Sequence, residues 1–326
     1  MPVTLEEARN NVQDDIEAGI IDEFRKSSYL LEAITFDDVV SPGTGQATMT
    51  YGYQRLLTQP TAQFRQINTE YTPAEVRRQR ITVDLKVFGG SYEIDRVIAD
   101  NVSALIGEVE LQSTQKVKAA RTLFHDAVIN GDSASNALAF DGLDVALAGS
   151  STEVGIDRVT DISLADMTQS QAFAFMDALD QFLGELDDVP TALMGNSRII
   201  GKITGAARRP GYITESEDAF GRTVTGYAGI PLVDLGAKPG TNLPVVPIED
   251  RTVNAAAQTG LTDLYAVRFG LDAFHGLSPL GRELVRQWLP DFTTAGAVKK
   301  GEVELVAAVA LKATKAAGVL RNVKIR

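Results

Sequence analysis

A long polar segment separates two apolar stretches near the start of the chain. Residues 47–57 and 80–94 both have the two-residue alternation that is typical of β-strands. The segment 54–80 carries five arginines and two glutamates, a net charge of +3, and it contains no lysine. Two to five residues are enough to close an ordinary hairpin. The sequence therefore predicts an unusually long hairpin over 47–94 with an arginine-rich tip.

The tip of this hairpin is too polar to be buried in the core of its own chain. An isolated two-stranded ribbon is only marginally stable in water, so another surface must hold it. We expect a neighbouring subunit to supply that surface, which makes the hairpin a docking arm. An anion-binding site and a simple solvated loop are the alternative interpretations.

The charge of the chain is unevenly distributed. Residues 1–40 contain ten acids and three basic residues, a net charge of −7 out of −12 for all 326 residues. This acidic balance argues against wholesale binding of nucleic acid, which requires a basic footprint. The absence of cysteine excludes disulfides and thiolate metal sites. No signal peptide and no run of about 20 apolar residues is found, so no membrane contact is expected.

Helices and strands alternate irregularly after the hairpin, which indicates an α+β fold. A long helix is predicted from Asp100–Asn101 to Asn130–Gly131, about 29 residues or roughly 43 Å. Two further helices are expected over 164–186 and 196–207. The remaining expected elements are an amphipathic helix at 5–28, loops at 131–143 and 209–222, strands at 189–195, 264–270 and 273–279, a hairpin at 224–236, and a strand in the first half of 303–326.

No motif of an enzyme occurs in the chain. A phosphate-binding loop of the form GxxxxGK[ST] and a GxSxG elbow are both missing. His125 and His275 are far apart in sequence, and we interpret His125 as a structural histidine beside the apolar face of the long helix. The sequence therefore predicts no catalytic residue, no metal site and no cofactor.

Several sequence segments, taken in their order along the chain, resemble segments of one protein family. They are LEEARNNVQDDIEAGIIDEF and ITFDDVV, then INGDSASNALAFDGL, TALMGNSRIIGKI, GYAGIPLVDLG and LYAVRFGLDAFHGL. Together with the hairpin and the long helix, they make nearly the whole chain similar to the major capsid proteins of tailed double-stranded DNA bacteriophages, of the Hong Kong 97 type.

This resemblance implies a division of the chain into named parts. They are an N-arm (1–46), an E-loop (47–83), a P-domain with the long spine helix (84–160), an A-domain (161–300) and a strand returning to the P-domain (301–326). The implied subunit contacts lie on the E-loop, at Arg55, Phe64, Arg65, Arg77, Arg78 and Arg80, and on the N-arm, at Asp14, Asp15, Glu17, Asp22 and Glu23.

The resemblance also implies a function and a set of partners. Such chains self-assemble as hexamers and pentamers into an icosahedral shell that encloses double-stranded DNA. The implied partners are further copies of the chain, a separate scaffolding protein, a portal, a decoration protein in some relatives, and DNA bound without sequence specificity. The implied location is the virion capsid, assembled in the cytoplasm of a bacterial host.

Two departures from some relatives modify these expectations. No lysine lies between Lys26 and Lys86, so the E-loop lacks the nucleophile of a covalent isopeptide mesh. The chain reaches its acidic arm directly after Met1, so we expect a separate scaffolding protein rather than a cleaved extension.

Two alternatives remain open at the level of sequence. One is an encapsulin nanocompartment, a cellular shell that houses a cargo enzyme. The other is a soluble enzyme whose arginine-lined lid closes on an anionic substrate, which would require a convergent set of catalytic groups. No such set is found in the sequence.

Overall fold

The computed structural model describes most of the chain after the N-terminal arm. The described residues are 29–40, 49–56, 60–73, 75–99, 102–163, 168–208, 213–217, 223–238, 241–280 and 283–326. The predicted helix over 5–28 therefore lies outside the described residues.

The described residues form helices and strands in irregular alternation, as expected for the α+β class. The helices are α1 Tyr29–Ala33, α2 Arg96–Ala99, α3 Val102–Asn130, α4 Leu143–Leu147, α5 Gln169–Gly184 and α6 Ser197–Arg208, with a short 3₁₀ turn at Thr314–Ala316. The strands are β1 Phe36–Val40, β2 Thr50–Leu56, β3 Arg78–Asp84, β4 Lys86–Asp95, β5 Glu153–Val154, β6 Thr160–Asp161, β7 Ala192–Gly195, β8 Ile213–Glu217, β9 Thr223–Tyr227, β10 Ile230–Asp234, β11 Glu249–Val253, β12 Ala256–Val267, β13 Phe274–Pro279, β14 Val285–Trp288, β15 Val298–Leu311 and β16 Ala317–Lys324.

The long helix α3 has the limits that its sequence predicts. Its apolar stripe buries Val117, Phe124 and Val128 in the largest core of the protein. The helix ends where Gly131 donates its backbone N–H to the carbonyl of Ala127 at 2.9 Å. A Cβ on Gly131 would lie 2.3 Å from the carbonyl oxygen of Phe140, so only glycine allows the chain to turn back this closely.

A sheet of five described strands packs on α3. Its central strand is β15, which pairs along its length with β4, from Val298↔Asp95 to Ala307↔Lys86. On its other side β15 pairs with β14 and then with β13, and β13 pairs in parallel with β1. Through the central strand β15, the strands β1 and β4 from the beginning of the described chain and the strands β13 and β14 from its later part therefore form one sheet.

A second sheet of nine described strands forms the other half of the molecule, in the order β5-β16-β12-β7-β10-β9-β8 with β11 and β6 at its sides. The strands β7 and β10 run parallel, and α6, β8 and β9 lie between them in the chain. Helices α5 and α6 bury Phe175, Leu179, Ile199 and Ile203 against this sheet, in a core distinct from that of α3.

A group of charged side chains joins α4 to the nine-stranded sheet. Arg321 on β16 pairs with Asp144 of α4, with Glu153 at 2.8 Å and with Asp263 at 3.1 Å. Arg251 also pairs with the buried Asp263, at 2.8 Å. Burial alone would lower the pKa of Arg321. The negative charges of Asp263 and Asp144 have the larger combined effect and raise this pKa above its ordinary value. Charges that are desolvated together in this way fix the position of α4 firmly, because removal of one partner leaves another buried and unpaired.

The structure corrects three sequence-based expectations. The stretch 80–94 is not one strand: it breaks at the buried Leu85, whose N–H bonds to Met49, so β3 pairs with β2 while β4 pairs with β15. The loop predicted at 209–222 contains β8, which pairs with β9. The segment 301–326 is divided, since β15 pairs with β4 whereas β16 pairs with β12 in the other sheet. The limits of the predicted domains stay a prediction.

Candidate subunit-docking surface

The strands β2 and β3 form a two-stranded antiparallel ribbon that carries the predicted docking segment. The register runs from Thr50↔Asp84 at the base to Leu56↔Arg78 at the outer end. Seven residues at about 3.4 Å each give the paired part a length of roughly 24 Å. Residues 60–77, which we call the tip, follow beyond it. Arg55, one pair from the outer end, bonds to the end of β15, so most of the paired part lies along the body and the tip follows beyond it.

One face of the ribbon base packs on the body of the protein. Tyr51, Tyr53 and Val83 alternate with exposed residues and contact the core around α3. The hydroxyl of Tyr53 donates to the carbonyl of Leu311 at 2.8 Å, at the end of β15. The ring of Tyr51 lies edge-on to the buried imidazole of His275, with centroids 6.0 Å apart. These contacts fix the direction in which the ribbon leaves the body.

Arg55, which was predicted at a subunit interface, belongs to this base. Its guanidinium donates to the carbonyl oxygens of Leu311, at 2.5 Å, and of Lys312, at 3.0 Å. Both acceptors lie in the same chain, directly after β15. The structure thus gives Arg55 an anchoring role within the subunit, because its donors are already engaged there. Its contact with another subunit stays a prediction.

The tip is uncovered. Phe64 is fully exposed and Ile67 is 89% exposed, while Tyr71 and Val76 are also exposed. Exposed apolar side chains that lie together mark interaction surfaces more often than scattered single ones do, and these four lie within one short segment of the chain. Sequence reasoning singled out Phe64 but missed Ile67, Tyr71 and Val76, since it concentrated on the arginines. The recurrence of single large apolar residues among polar ones along 64–76 could have revealed them.

Arg65 gives the tip a local fold of its own. Its guanidinium carbon lies 5.3 Å from the centre of the Tyr71 ring, within the range of a cation–π contact. The same side chain donates to the carbonyl of Thr69 at 3.2 Å, across a turn in which Asn68 has a φ of 67°. The tip is therefore a shaped loop rather than an extended strand, and its arginine is held in place.

The other predicted E-loop residues are exposed on the outer part of the ribbon. Arg77, Arg78 and Arg80 all lie on the surface of the described chain. Their side chains and that of Arg65 give one end of the molecule a basic surface. The acids of the predicted N-arm contact, Asp14, Asp15, Glu17, Asp22 and Glu23, lie outside the described residues.

A cleft of about 310 Å³ opens beside the ribbon base. One wall is the ribbon, with Tyr53 and Ile81, and the other is the loop and helix that follow α3, with Phe140 and Val145. Lys86 bonds across one end of the cleft to the carbonyl of Ala137 at 2.9 Å. Sequence reasoning assigned this loop no role.

The described residues do not form a metal site or a membrane-spanning helix. No three His, Asp or Glu side chains within them are close enough together to hold a metal ion. None of the described helices is both long enough and apolar enough to cross a bilayer.

Comparison with solved structures identifies the architecture. An encapsulin complex of Synechococcus elongatus PCC 7942 shares 16% identity over 100% of this chain and 97% of its own, with a TM-score of 0.57. The capsid of a native GTA particle shares 15% identity over 99% and 95%, with a TM-score of 0.56. A structure of Microbacterium phage Oxtober96 shares 13% over 99% and 96%, also at 0.56.

The chain has the Hong Kong 97-type capsid fold. The fold predicted from the sequence is thereby confirmed, over at least 95% of each of these three chains. No protein-family model and no curated protein sequence matches the chain.

Proposed function

We propose that the protein is the major capsid protein of a tailed bacteriophage. In this proposal it assembles as hexamers and pentamers into an icosahedral shell around double-stranded DNA. The observation that carries the proposal is the uncovered tip, which combines exposed apolar side chains with arginines on a rigidly anchored ribbon. In a subunit that remained monomeric, this apolar surface would stay exposed to water, which is typical of an interaction site without its partner.

The acidic character of the chain agrees with this function. A net charge of −12 disfavours general adhesion of the protein to DNA. A shell of such subunits can therefore enclose DNA without binding it tightly or sequence-specifically. The proposal places the protein in the virion, after assembly in the host cytoplasm, with a scaffolding protein and a portal as partners. It does not include an enzymatic activity.

An encapsulin-type shell is the second candidate. It is favoured by one observation, the similarity over the full length of both chains to the encapsulin complex of Synechococcus elongatus PCC 7942. The two functions differ in what the shell contains. A phage shell packages DNA through a portal, whereas an encapsulin encloses a cargo protein.

Electron microscopy of the purified chain tests both functions. We would express it with and without a candidate scaffolding protein and examine the product by negative stain. Closed shells or pentameric and hexameric capsomers are expected. The contents of particles isolated from the native source separate the candidates: packaged DNA supports the phage function, and an enclosed cargo protein supports the encapsulin function. A monodisperse monomer or dimer under all salt conditions would overturn both.

The composition of the tip gives a second test of the proposed shell. Because no lysine lies between Lys26 and Lys86, subunits in mature particles should remain separate polypeptides. Intact mass measurement of dissociated particles is expected to give the mass of one chain. A ladder of covalent multimers on a denaturing gel would contradict this.

A further inference from the structure

The buried imidazole of His275 has no hydrogen-bond partner in the described part of the chain. His275 lies on β13 and is fully buried, and neither of its ring nitrogens forms a hydrogen bond with the described residues. Buried polar groups are almost always paired, because a buried donor or acceptor without a partner lowers stability. Histidine is also the side chain whose charge changes nearest to neutral pH. An unsatisfied buried histidine is therefore a candidate for a function beyond packing.

His275 lies where the ribbon, β1 and the body meet. The ring of Tyr51, in β2 of the ribbon, is edge-on to the imidazole, with centroids 6.0 Å apart. The strand β1 pairs with β13 at Phe36↔Gly276, directly beside His275 in the strand. On the other side of β13, His275 is opposite Ala310 of β15. We call this place the junction, since three separate parts of the chain are joined there.

Four titratable groups face the imidazole, one from each segment that packs around it. They are Asp37 of β1, Tyr51 of the ribbon, Asp272 before β13 and Lys312 at the end of β15. Each carboxylate already has another partner: the Tyr51 hydroxyl donates to Asp37 at 3.5 Å, and Arg268 pairs with Asp272 at 3.0 Å. The ammonium of Lys312 lies 5.5 Å from the centre of the Tyr51 ring. The imidazole thus has a cation nearby and forms no hydrogen bond to either carboxylate.

These surroundings favour the neutral form of the imidazole. Burial lowers the pKa of His275 and the charge of Lys312 lowers it further, against smaller opposing effects of Asp37, the Ala273 backbone and Asp272. A histidine released into water has its ordinary pKa of 6.5 and binds a proton more tightly than the buried one. The packing of the junction is therefore most stable above pH 6.5 and loses stability as the pH falls below that value.

We propose that His275 is the titrating group of an acid-sensitive lock that holds the ribbon and β1 on the body. At neutral pH the uncharged ring packs against Tyr51 and the junction is closed. When the ring takes up a proton in acid, a buried positive charge stands near Lys312, and exposure of the ring to water relieves it. The ribbon base and β1 then loosen together. This inference concerns a single subunit and does not rest on the proposed shell function.

Hydrogen exchange of the full chain tests the lock. A released two-stranded ribbon is only marginally stable, so its amides lose their protection. Protection factors, corrected for the intrinsic effect of pH on exchange, are measured at pH 7 and pH 5 for peptides of β1, β2, β3 and β12. Each pH unit below 6.5 contributes at most about a tenfold change. We expect protection in the ribbon and β1 to fall about tenfold, and protection in β12 to fall less.

Replacement of the histidine should remove the response to acid. His275→Leu supplies an apolar side chain of similar size that cannot titrate, so the protection of the ribbon and β1 should be nearly equal at pH 7 and pH 5. His125→Gln is the matched control at the other histidine of the chain, which lies beside Tyr29 and Asp234 in a different part of the body. It should leave the acid-induced loss in the ribbon in place.

The charged neighbours of His275 should change the response in opposite directions. Lys312→Gln removes the cation that lowers the pKa of His275, so less protection should be lost at pH 5. Asp37→Asn removes a carboxylate that opposes this effect, so more protection should be lost. Both differences should disappear when His275→Leu is also present. A purely structural role of Lys312 or Asp37 would not produce this pattern.

Two results would overturn the lock. One is equal protection of the unaltered ribbon and β1 at the two pH values. The other is an acid-induced loss that persists in His275→Leu with undiminished size. If His275→Leu does not fold, Lys312→Gln and Asp37→Asn decide the question in the chain that keeps His275, and responses of the same sign would then contradict the proposal.

Discussion

The two ends of the ribbon differ in what covers them. At the base, Tyr53 and Arg55 bond to the carbonyls that end β15, and Tyr51 packs on His275. At the tip, Phe64 and Ile67 have no cover in the described chain. One hairpin thus contains a part that belongs to the fold of the subunit and a part that is available for another subunit. Changes at the base should act on folding, and changes at the tip should act on association.

The largest expected effect on the free energy of unfolding comes from a change in β4, the strand that follows the ribbon and pairs with β15. A Cβ on Gly89 in β4 would lie 2.0 Å from the carbonyl oxygen of Val303 in β15. Gly89→Ala must therefore open the pairing on which the ribbon rests, and we expect a loss of more than about 3 kcal/mol in the free energy of unfolding. Urea unfolding of the subunit measures it.

Gly52→Ala is the matched control, a second glycine-to-alanine change within a strand. Gly52 lies in the ribbon, where the nearest atom to an added Cβ is the flexible Arg80 side chain at 3.4 Å. Its effect should stay below about 1 kcal/mol. Equal losses in the two variants would contradict the distinction between body and ribbon.

Acid should act on the body and the base and leave the tip unaffected. Burial, and then the charge of Arg121, lower the pKa of His125 from 6.5 to about 4. The unfolded chain binds the proton more tightly, so stability is complete above pH 6.5 and is lost as the pH falls towards 4. The loss for His125 is about 3 kcal/mol at the acid end of this window. The pKa of His275 is lowered too, by burial and by Lys312.

Unfolding free energies measured between pH 7 and pH 4 check this prediction. His125→Gln should reduce the decrease over that range, and the part that remains is expected from His275, the one other histidine of the chain. Arg65→Gln at the tip serves as the control and should leave the pH profile unchanged. An acid-induced loss that persists in His125→Gln with undiminished size would contradict the assignment.

A smaller effect is expected when the anchor itself is removed. Arg55→Met deletes the donors to the carbonyls of Leu311 and Lys312. We expect the free energy that holds the ribbon on the body to fall by about 2 kcal/mol. Arg80→Met is the matched change at an exposed position of the same ribbon. Hydrogen exchange of the β2 and β3 amides should accelerate in Arg55→Met and remain near wild type in Arg80→Met. Similar exchange in both variants would mean that Arg55 does not anchor the ribbon.

The sequence predicted the elements whose patterns are local. The limits of α3 followed from its caps and its apolar stripe, and the hairpin followed from alternation on both sides of a polar segment. The break at Leu85 could not be predicted, since the alternation of apolar residues continues through it while the pairing partner changes from β2 to β15. Which strand pairs with which depends on contacts between residues more than 200 positions apart.

The candidate docking surface could be predicted only in part, because the roles of some residues also depend on contacts that are distant in the sequence. Exposed arginines and Phe64 can be recognised from composition, and the structure places them on the outer ribbon and tip. Arg55 has the same chemistry in the sequence, yet it is bound to carbonyls near residue 311. The loop after α3 was assigned no role because Phe140 and Asp141 are ordinary loop residues until the fold places them beside the cleft.

The smallest expected effect on stability is at the tip, where the effect on assembly should be greatest. Arg65, Arg77 and Arg78 are exposed, so changing all three to alanine should alter the free energy of unfolding by less than about 1 kcal/mol. An exposed ion pair contributes only about 0–1 kcal/mol, but a shell repeats each contact in every subunit. The yield of shells, followed by light scattering across a salt series, should therefore fall and lose its salt dependence. Normal assembly of the triple variant at every salt concentration would remove the arginines from the contact and leave docking to Phe64 and Ile67 alone.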